Sequence, residues 1–258
     1  MTKKRDGGPR VLFFDIETTP NLAWIWKKYE QNAIGDFVKE RHMIVFAWKW
    51  MGEKKIHALS LPMFPRFKKD KDDNTDLVKA LHRLFSEADI VVGHNLDWFD
   101  VPMANVEFIG HGMNPPSPYK TVDTLKVARR EFRFNSNKLG DLGKKLGFGD
   151  KAETGGFSLW TGCIRGDLKA YERMAAYCKR DVGLLEKIYY KLRPWMRSHP
   201  DMNALDENVG CPHCRHKDLM SRGWAIVGGG RRKRFVCKRC HKWSQGRFIK
   251  SKDAWKFR

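Results

Sequence analysis

Two acidic side chains close a short apolar run near the N-terminus. Asp15 and Glu17 lie two residues apart at the end of Val11–Thr18, a run whose composition predicts an interior strand. Side chains two residues apart on a strand leave the same face of the sheet. Two carboxylates held together repel each other and lose hydration, so the pair favours a hard cation such as Mg²⁺ or Mn²⁺. The alternative is a pair of exposed acids at a strand end, one of which caps the following turn.

Two further sites combine polar side chains with a predicted helix. Asp100 follows the apolar, strand-like run Asp89–His94 and opens a helical stretch. Tyr177 and Asp181 are at positions i and i+4 of the longest helical pattern, so they share one face of that helix. Taken singly, Asp100 is an ordinary helix N-cap, Tyr177 a residue at the core boundary and Asp181 the partner of a surface base.

The order of the elements predicts an α/β fold. The hydrophobic pattern indicates a strand, a hairpin, a helix, a strand, a helix, a strand and then helices. The hairpin consists of Ile44–Trp50 and Lys55–Leu61, and its place among strands linked by helices indicates a mixed sheet. Asp167 begins the longest helix, Lys138–Leu146 forms a short helix, and Gly155–Gly166 is predicted to be a loop.

Four of the six cysteines form two CxxC pairs near the C-terminus. Two such knuckles place four thiolates tetrahedrally around Zn²⁺ at about 2.3 Å, and Gly228–Gly230 supplies a turn in the chain between them. The predicted ligands of this structural Zn²⁺ are Cys211, Cys214, Cys237 and Cys240. Cys163 and Cys178 are predicted to be packing residues of the main domain.

The chain carries a net charge of +20, and the excess is concentrated near the C-terminus. Leu205–Arg258 contains 15 Lys or Arg against 4 Asp or Glu, which predicts a folded basic module that binds a polyanion. Its candidate nucleic-acid contacts, which have aromatic side chains nearby, are Arg231, Arg232, Lys233 and Arg234. A solvated charged hairpin and a docking surface for a partner protein are the alternatives.

The composition excludes several classes of protein. Hydrophobic residues make up 41% and aromatic residues 12% of the chain, which excludes disorder throughout. The longest apolar runs are far shorter than the roughly 20 residues that span a bilayer, and the N-terminus lacks the pattern of a secretion signal. Six cysteines, four of them in CxxC pairs, do not suit a disulfide scaffold. We therefore expect a cytoplasmic protein of a bacterium or a phage-infected host, without membrane contact.

Three motifs, in their order and spacing, resemble those of the DnaQ-like (DEDD) exonuclease superfamily. They are Phe-Asp15-Ile-Glu17-Thr, Gly-His-Asn95-Leu-Asp-Trp-Phe99-Asp100 and Tyr177-Cys-Lys-Arg-Asp181. The resemblance spans about Val11 to Leu192, most of the chain. The third motif is similar to the tyrosine subclass, because the position at which the histidine subclass carries His is Ala176 here.

The resemblance implies a ribonuclease-H-like fold, with a mixed five-stranded sheet flanked by helices, and a metal-dependent active site. Asp15, Glu17 and Asp181 would hold one Mg²⁺ or Mn²⁺ ion, and Asp15 with Asp100, directly or through water, would hold a second. Two such ions clamp the attacking and leaving oxygens of a phosphodiester. Tyr177 would orient the attacking water, since tyrosine, with an ordinary pKa of about 10, is a poor base at neutral pH.

The implied reaction is 3′→5′ hydrolysis of single-stranded DNA to nucleoside 5′-monophosphates, starting at DNA 3′ ends. Because most of the chain is this one domain, we expect a separate DNA polymerase or another replication protein as a partner, for which the chain would proofread in trans. The alternatives are an exoribonuclease, an endonuclease or strand-transferase of the same broad fold, and a non-catalytic nucleic-acid-binding protein. The presence of all four carboxylates argues against the last of these.

The predicted domains are an exonuclease domain over 8–194, a linker over 195–208 and a basic zinc-ribbon module over 209–258. The module resembles zinc ribbons of the CPxC…Arg-Phe-Val-Cys type found in nucleic-acid enzymes. In the exonuclease domain, Asn95, Phe99 and Trp160 are candidate contacts with nucleic acid, the two rings by stacking on terminal bases. For each ring, a place in the hydrophobic core is the alternative.

Overall fold

The computed structural model describes residues 7–26, 34–149, 156–206 and 208–251. These residues form two compact units. The first unit is Arg10–Tyr189, and the second contains the described residues of Tyr190–Arg258 together with residues 7–9. Each unit has its own principal β-sheet, with five strands in the first and three in the second.

The chain order of the described elements alternates strands and helices in the first unit and ends in strands in the second. The strands are β1 (Val11–Thr18), β2 (Leu22–Ile25), β3 (Ile34–Lys39), β4 (Met43–Trp50), β5 (His57–Ser60), β6 (Ile90–Gly93), β7 (Lys120–Asp123), β8 (Leu219–Val227), β9 (Gly230–Cys237) and β10 (Trp243–Lys250). The α-helices are α1 (Thr75–Glu87), α2 (Asp100–Gly110), α3 (Thr124–Glu131), α4 (Leu139–Lys145), α5 (Ser158–Ile164) and α6 (Leu168–Leu192). Short 3₁₀ turns cover Leu61–Met63, Pro65–Lys68 and Arg193–Trp195.

The central sheet of the first unit has the strand order β5-β4-β1-β6-β7. β4 is antiparallel to both β1 and β5, whereas β1, β6 and β7 run parallel to one another. The mixed five-stranded sheet expected from the sequence is therefore confirmed, as is the hairpin formed by β4 and β5. Because β1, β6 and β7 are parallel, their carboxyl ends lie at the same edge of the sheet.

Helices cover both faces of this sheet. The ring of Phe13 in β1 packs edge-on against Tyr189 of α6, with ring centroids 5.2 Å apart. The ring of the next residue, Phe14, packs edge-on against Phe85 of α1 at 5.0 Å. Consecutive strand residues point to opposite faces, so α6 lies on one face and α1 on the other. Asp15, two residues after Phe13, consequently points to the face that α6 covers.

The prediction of a loop over Gly155–Gly166 is wrong for most of the segment. Ser158–Ile164 forms the short helix α5, which buries Leu159 and Cys163 four residues apart. Gly162 and the β-branched Thr161 have low helix propensity. Burial of the apolar face overrides that propensity.

A second hairpin, formed by β2 and β3, is absent from the sequence-based prediction. Its strands pair antiparallel, and hydrogen bonds between Thr19 and His42 close its base. Among the large apolar side chains that the structure describes in this hairpin, Trp24, Ile25 and Phe37 are exposed. Without one buried face, the segment lacks the alternation of apolar and polar residues that marks a strand in a sequence.

The second unit contains the antiparallel sheet β10-β9-β8. The predicted glycine turn connects β8 to β9, and Gly228 has φ +50°, a backbone conformation that favours glycine. The buried thiols of Cys211, Cys237 and Cys240 form the centre of a small cluster in this unit. Among the helices of the described residues, none combines the length and the hydropathy that a bilayer crossing requires.

Candidate active site and four-cysteine cluster

Three carboxylates that are far apart in the sequence meet near the carboxyl end of β1. Oxygen atoms of Asp15, Glu17 and Asp181 lie within 4.8 Å of one another. β1 contributes the first two, and α6 contributes Asp181, which is buried. Carboxylate oxygens are the preferred ligands of hard divalent cations, so this donor set fits Mg²⁺ or Mn²⁺.

The pairing of β1 leaves room for these side chains. β6 pairs with β1 only from Val11 to Phe13, whereas β4 follows β1 as far as Thr18. Beyond Phe13, β1 therefore has its β4 neighbour on one side and no β6 pairing on the other. Asp15 and Glu17 lie in this stretch, on the face of the sheet that α6 covers.

Asp100 is buried beside Asp15. It is the first residue of α2, whose N-cap is Phe99, so the N-cap alternative for Asp100 is wrong. Burial, and then the neighbouring charge of Asp15, raise the pKa of the Asp100 carboxyl well above its usual range, whereas hydrogen bonds from its own N–H and that of Ile16 lower it. Two carboxylates that interact in this way favour a cation between them, because each disfavours ionisation of the other.

α6 carries two more polar side chains close to the acidic cluster, the name used here for Asp15, Glu17 and Asp181. Tyr177 is buried one helical turn before Asp181. The Cys178 thiol donates to the Asp15 carboxylate, with Sγ 3.3 Å from Oδ2, and lies 3.4 Å from the Asp15 carbonyl oxygen. Burial, and then the charges of Asp15 and Glu17, raise the pKa of the Cys178 thiol well above its usual range, so the thiol remains a neutral donor. Cys178 is thus more than the packing residue predicted from the sequence.

A buried acid at the end of β7 holds the loop that follows β6. Asp123 accepts hydrogen bonds from the backbone N–H groups of Asn95 at 3.0 Å and Asp97 at 3.3 Å. It also caps α3 by accepting from the N–H of Leu125 at 2.9 Å. Asn95 has φ +70°, a left-handed conformation that asparagine tolerates better than most residues. The bond to Asp123 therefore stabilises an unusual backbone conformation beside the cluster.

His94 connects this loop to the segment that precedes α4. Its Nδ1 lies 2.9 Å from Oγ1 of Thr124, and its Nε2 lies 2.8 Å from the carbonyl oxygen of Asn137. Because a carbonyl oxygen only accepts, Nε2 carries a proton in this arrangement. The ring thereby fixes the distance between the carboxyl end of β6 and the start of α4.

A cavity of about 920 Å³ opens over the carboxylates. Its walls include Asp15, Asp181 and Asn95, and three basic residues of α3, α4 and the segment between them. These basic residues are Arg129, Lys138 and Lys144. The lining therefore combines two carboxylates suited to a divalent cation with three basic side chains suited to phosphate, and it also includes Asp141.

The two aromatic residues predicted to stack on bases, Phe99 and Trp160, do not line this cavity. Phe99 precedes α2 and Trp160 belongs to α5, and both are half-buried. Of the described residues that line the cavity, Asn95 is the one predicted nucleic-acid contact, and neither ring is among them. Stacking of Phe99 or Trp160 on a terminal base stays a prediction.

Four thiols meet in the second unit. Cys211 and Cys240 have their sulfur atoms 3.7 Å apart, those of Cys214 and Cys237 are 3.6 Å apart, and all four lie within 4.8 Å of one another. A disulfide would bring two sulfurs to about 2.05 Å. Four thiolates at about 2.3 Å from a zinc ion occupy a tetrahedron with edges of about 3.8 Å, so the observed spacing fits Zn²⁺. The hydrogen bond between Cys211 and Cys240 lowers the pKa of the Cys211 thiol and raises that of the Cys240 thiol, so the pair favours one thiolate and one protonated sulfur when no metal is bound.

A family model matches most of the chain. The model RNase_H_2, described as RNase_H superfamily, matches residues 12–193, well over half of the sequence. The chain belongs to the RNase H superfamily. The ribonuclease-H-like fold expected from the sequence is therefore confirmed. Nucleases of the RNase H superfamily use divalent metals, and the acidic cluster is compatible with such an ion.

A solved structure shares the fold of this RNase H superfamily member. The family B DNA polymerase from the hyperthermophilic archaeon Pyrobaculum calidifontis matches with a TM-score of 0.51 and 16% sequence identity. The match covers 72% of this chain and 25% of the polymerase chain, so the chain spans about a quarter of the polymerase's length. At this identity the likeness shows the fold alone. No curated protein matches the chain.

Sequence reasoning missed three residues that surround the site of this RNase H superfamily member: Cys178, Asp123 and His94. Signals for two of them were present. Cys178 is three residues before Asp181, hence on the same side of α6, and Asp123 directly follows a short apolar strand at the start of a helix. His94 offered no such signal, because its partners come from segments 30 and 43 residues away.

Proposed function

We propose that the chain is a metal-dependent 3′→5′ exonuclease of the DnaQ-like tyrosine subclass, which hydrolyses single-stranded DNA to nucleoside 5′-monophosphates. The observation that carries the proposal is the meeting of Asp15, Glu17 and Asp181 within 4.8 Å, with Asp100 buried beside Asp15. Groups from three separate motifs thus come together around one small volume. A structural role alone does not call for three carboxylates within 4.8 Å of one another and a fourth buried beside one of them.

The four carboxylates have distinct proposed roles. Asp15, Glu17 and Asp181 would hold one divalent ion, and Asp15 with Asp100 a second. When bound, the two ions supply Lewis acidity at the scissile phosphate and lower the pKa of the attacking water. Asp100 accepts a hydrogen bond from the N–H of Ile16, so its carboxylate is oriented before any ligand arrives.

Tyr177 is the proposed positioning group for the attacking water. It lies on α6 one turn from Asp181, on the same side of the helix. Its hydroxyl would hydrogen-bond the water and hold it in line with the scissile bond. An ordinary tyrosine pKa of about 10 makes transfer of the water's proton to Tyr177 unfavourable at neutral pH.

The cavity over the cluster is the proposed path of the DNA strand. Arg129, Lys138 and Lys144 would contact backbone phosphates, which contributes affinity without base specificity. Asn95, on the wall beside Asp15, would contact the terminal nucleotide.

The second unit is the proposed zinc ribbon and a second contact with single-stranded DNA. The guanidinium of Arg231 lies 4.5 Å from the ring centroid of Trp224, and that of Arg234 lies 5.8 Å from Trp243. Such pairs present a charge for phosphate beside a ring for base stacking. We assign the exonuclease domain to 8–194, the linker to 195–208 and the ribbon to 209–258, and propose a separate DNA polymerase as the partner.

The decisive experiment follows labelled oligonucleotides during digestion by the full chain. A 5′-labelled single strand should give a descending ladder, and a 3′-labelled one should release its labelled nucleotide at once. EDTA should stop both reactions. Asp15→Ala and Asp181→Ala should each lower the rate by at least about a thousandfold, since each removes several kcal/mol of transition-state stabilisation.

The matched control is Glu172→Gln, which neutralises an exposed carboxylate on the same helix as Asp181. This variant should keep the wild-type rate. Full activity of Asp15→Ala, or digestion that EDTA does not stop, would refute the assignment. Faster digestion of RNA than of DNA of equal sequence would reassign the substrate, and cleavage of a closed circular single strand would identify an endonuclease.

A further inference from the structure

A thiol touches the carboxylate that both proposed metal sites share. The sulfur of Cys178 lies 3.3 Å from Oδ2 of Asp15 and 3.4 Å from the Asp15 carbonyl oxygen, within the range of hydrogen bonds to sulfur. Cys178 is fully buried, and 163 residues separate it from Asp15 in the sequence. The contact therefore links α6 to β1 at the residue on which the acidic cluster is centred.

A hydrogen bond from the Cys178 thiol restricts the rotation of the Asp15 carboxylate. A carboxylate turns readily about its terminal torsion, which has broad minima. A donor on Oδ2 of Asp15 holds that torsion in place and leaves lone pairs on both oxygens for cations, because an ionised carboxylate has about four acceptor positions. A cysteine thiol, with an ordinary pKa of about 8.5, carries its proton at neutral pH and can donate.

The neighbours of Cys178 show that the position does not require a polar group for packing. Met174 and Val182, four residues before and after it on α6, are fully buried and apolar. A valine at position 178 would fill a similar volume in this row and leave Oδ2 of Asp15 without the thiol donor. The cysteine adds a hydrogen bond to a site that an aliphatic side chain could fill.

We propose that Cys178 is a positioning residue, which orients the Asp15 carboxylate for divalent-cation binding through an S–H···O hydrogen bond. This inference rests on the proposed metal-dependent function of the acidic cluster. Cys178 would act through Asp15 and would itself contact neither the ion nor the substrate. Groups that hydrogen-bond a metal ligand typically change metal affinity by about 10–100-fold when they are removed, and a thiol, as a weak donor, belongs at the low end of that range.

The test compares Cys178→Val, which keeps the volume and loses the donor, with Cys178→Ser, which keeps a donor. Mn²⁺ is titrated into the full chain, whose ribbon thiols are saturated with Zn²⁺, and free Mn²⁺ is followed by electron paramagnetic resonance. Cys178→Val should raise the Mn²⁺ Kd about tenfold, and Cys178→Ser should stay within about threefold of wild type. Thermal unfolding of both variants measures any structural loss separately from the change in Kd.

A spectroscopic readout checks the hydrogen bond without metal. The infrared S–H stretching band of Cys178, isolated by subtracting the spectrum of Cys178→Ser, should move to higher wavenumber in Asp15→Ala, because the thiol loses its carboxylate acceptor. An unmoved band, or wild-type Mn²⁺ affinity in Cys178→Val, would overturn the inference. If Cys178→Val does not fold, Cys178→Ala takes its place in the titration. Mn²⁺ binding that is the same in wild type and Asp15→Ala would instead overturn the metal site itself.

Discussion

At the scale of single residues, the protonation of Asp100 makes the stability of the folded protein depend on pH. Burial and the charge of Asp15 raise the pKa of Asp100, so the folded chain binds this proton more tightly than the unfolded chain does. Asp100 contributes its full stabilisation at a pH below the pKa that it has in the unfolded chain. This contribution is lost as the pH rises through the higher pKa that Asp100 has in the folded chain. At a pH above that folded pKa and without metal, its ionisation therefore destabilises the fold.

Asp100→Asn should consequently stabilise the metal-free protein at neutral to mildly alkaline pH. The amide keeps the shape and an acceptor for the N–H of Ile16, and it removes the buried charge. In EDTA at a pH of about 7.5, Tm should rise by about 2 °C or more, the shift that about 1 kcal/mol produces in a domain of this size. Near a pH of about 4 the gain should shrink, because the wild-type carboxyl is then protonated. Scanning calorimetry across this pH range measures both, and a variant less stable than wild type at every pH would contradict the argument.

Substitution of Tyr177 tests a different part of the proposed mechanism, the orientation of the attacking water. Tyr177→Phe removes the hydroxyl and keeps the ring in its buried place. We expect kcat to fall about 10–100-fold, less than loss of a full acid–base group, while the Mn²⁺ Kd stays unchanged. Tyr171→Phe is the matched control, because it removes the hydroxyl of another buried tyrosine on α6. Equal effects of the two changes on kcat would assign Tyr177 to packing alone.

At the scale of elements, Asp123 joins two connections of the sheet. One side chain caps α3 and accepts two further N–H groups from the loop after β6. Asp123→Ala should therefore cost about 2–3 kcal/mol of unfolding free energy, since the loss of a cap costs about 1 kcal/mol and the loop bonds add to it. Asp167→Ala, which removes an acceptor of the N–H of Lys169 near the start of α6, should cost about 1 kcal/mol. Urea denaturation compares the two variants, and equal costs would show that the loop bonds contribute nothing.

The same scale shows what the sequence could predict. The strands β1 and β6 were predictable because their apolar runs are continuous, as expected for interior parallel strands. The shared face of Asp15 and Glu17 was predictable because two residues separated by one on a strand point the same way. Asp100 and Asp181 were expected at the same site only from the resemblance of their motifs to those of the DnaQ-like superfamily. The bond between Cys178 and Asp15 was not predictable, because it depends on how two elements 163 residues apart pack together.

At the scale of the whole molecule, the acidic cluster contrasts with a strongly basic chain. The net charge of +20 favours a polyanionic partner, whereas the carboxylates of the acidic cluster would repel the scissile phosphate of the proposed substrate. Bound cations would resolve this conflict, because they reverse the sign of the field near these carboxylates. Divalent ions would in this way govern productive placement of DNA as well as the chemistry, and the basic residues would govern affinity.

The affinity for DNA should accordingly depend on salt through the ribbon. The logarithm of the binding constant falls linearly with the logarithm of the salt concentration, with a slope of about −0.7 for each phosphate contact on single-stranded DNA. The loss of four contacts should therefore make the slope less negative by about 2.8. The test replaces Arg231, Arg232, Lys233 and Arg234 together with Gln in an Asp15→Ala background that cannot digest the probe. Fluorescence anisotropy of a labelled strand, measured at several KCl concentrations, gives the slope.

A control variant loses the same number of positive charges at another surface. It separates direct contact between the ribbon and phosphate from the general attraction of DNA by the net charge of the chain. Lys54, Lys55, Lys68 and Lys69 are exposed residues of the first unit that do not line the cavity. Their replacement by Gln should change the slope by less than about 0.7, the value of one contact. Equal slopes for the two quadruple variants would assign the ribbon's effect to net charge. A slope that the ribbon variant leaves at its wild-type value would mean that this strand of the ribbon contacts no phosphate, which favours its use as a docking surface for a partner protein.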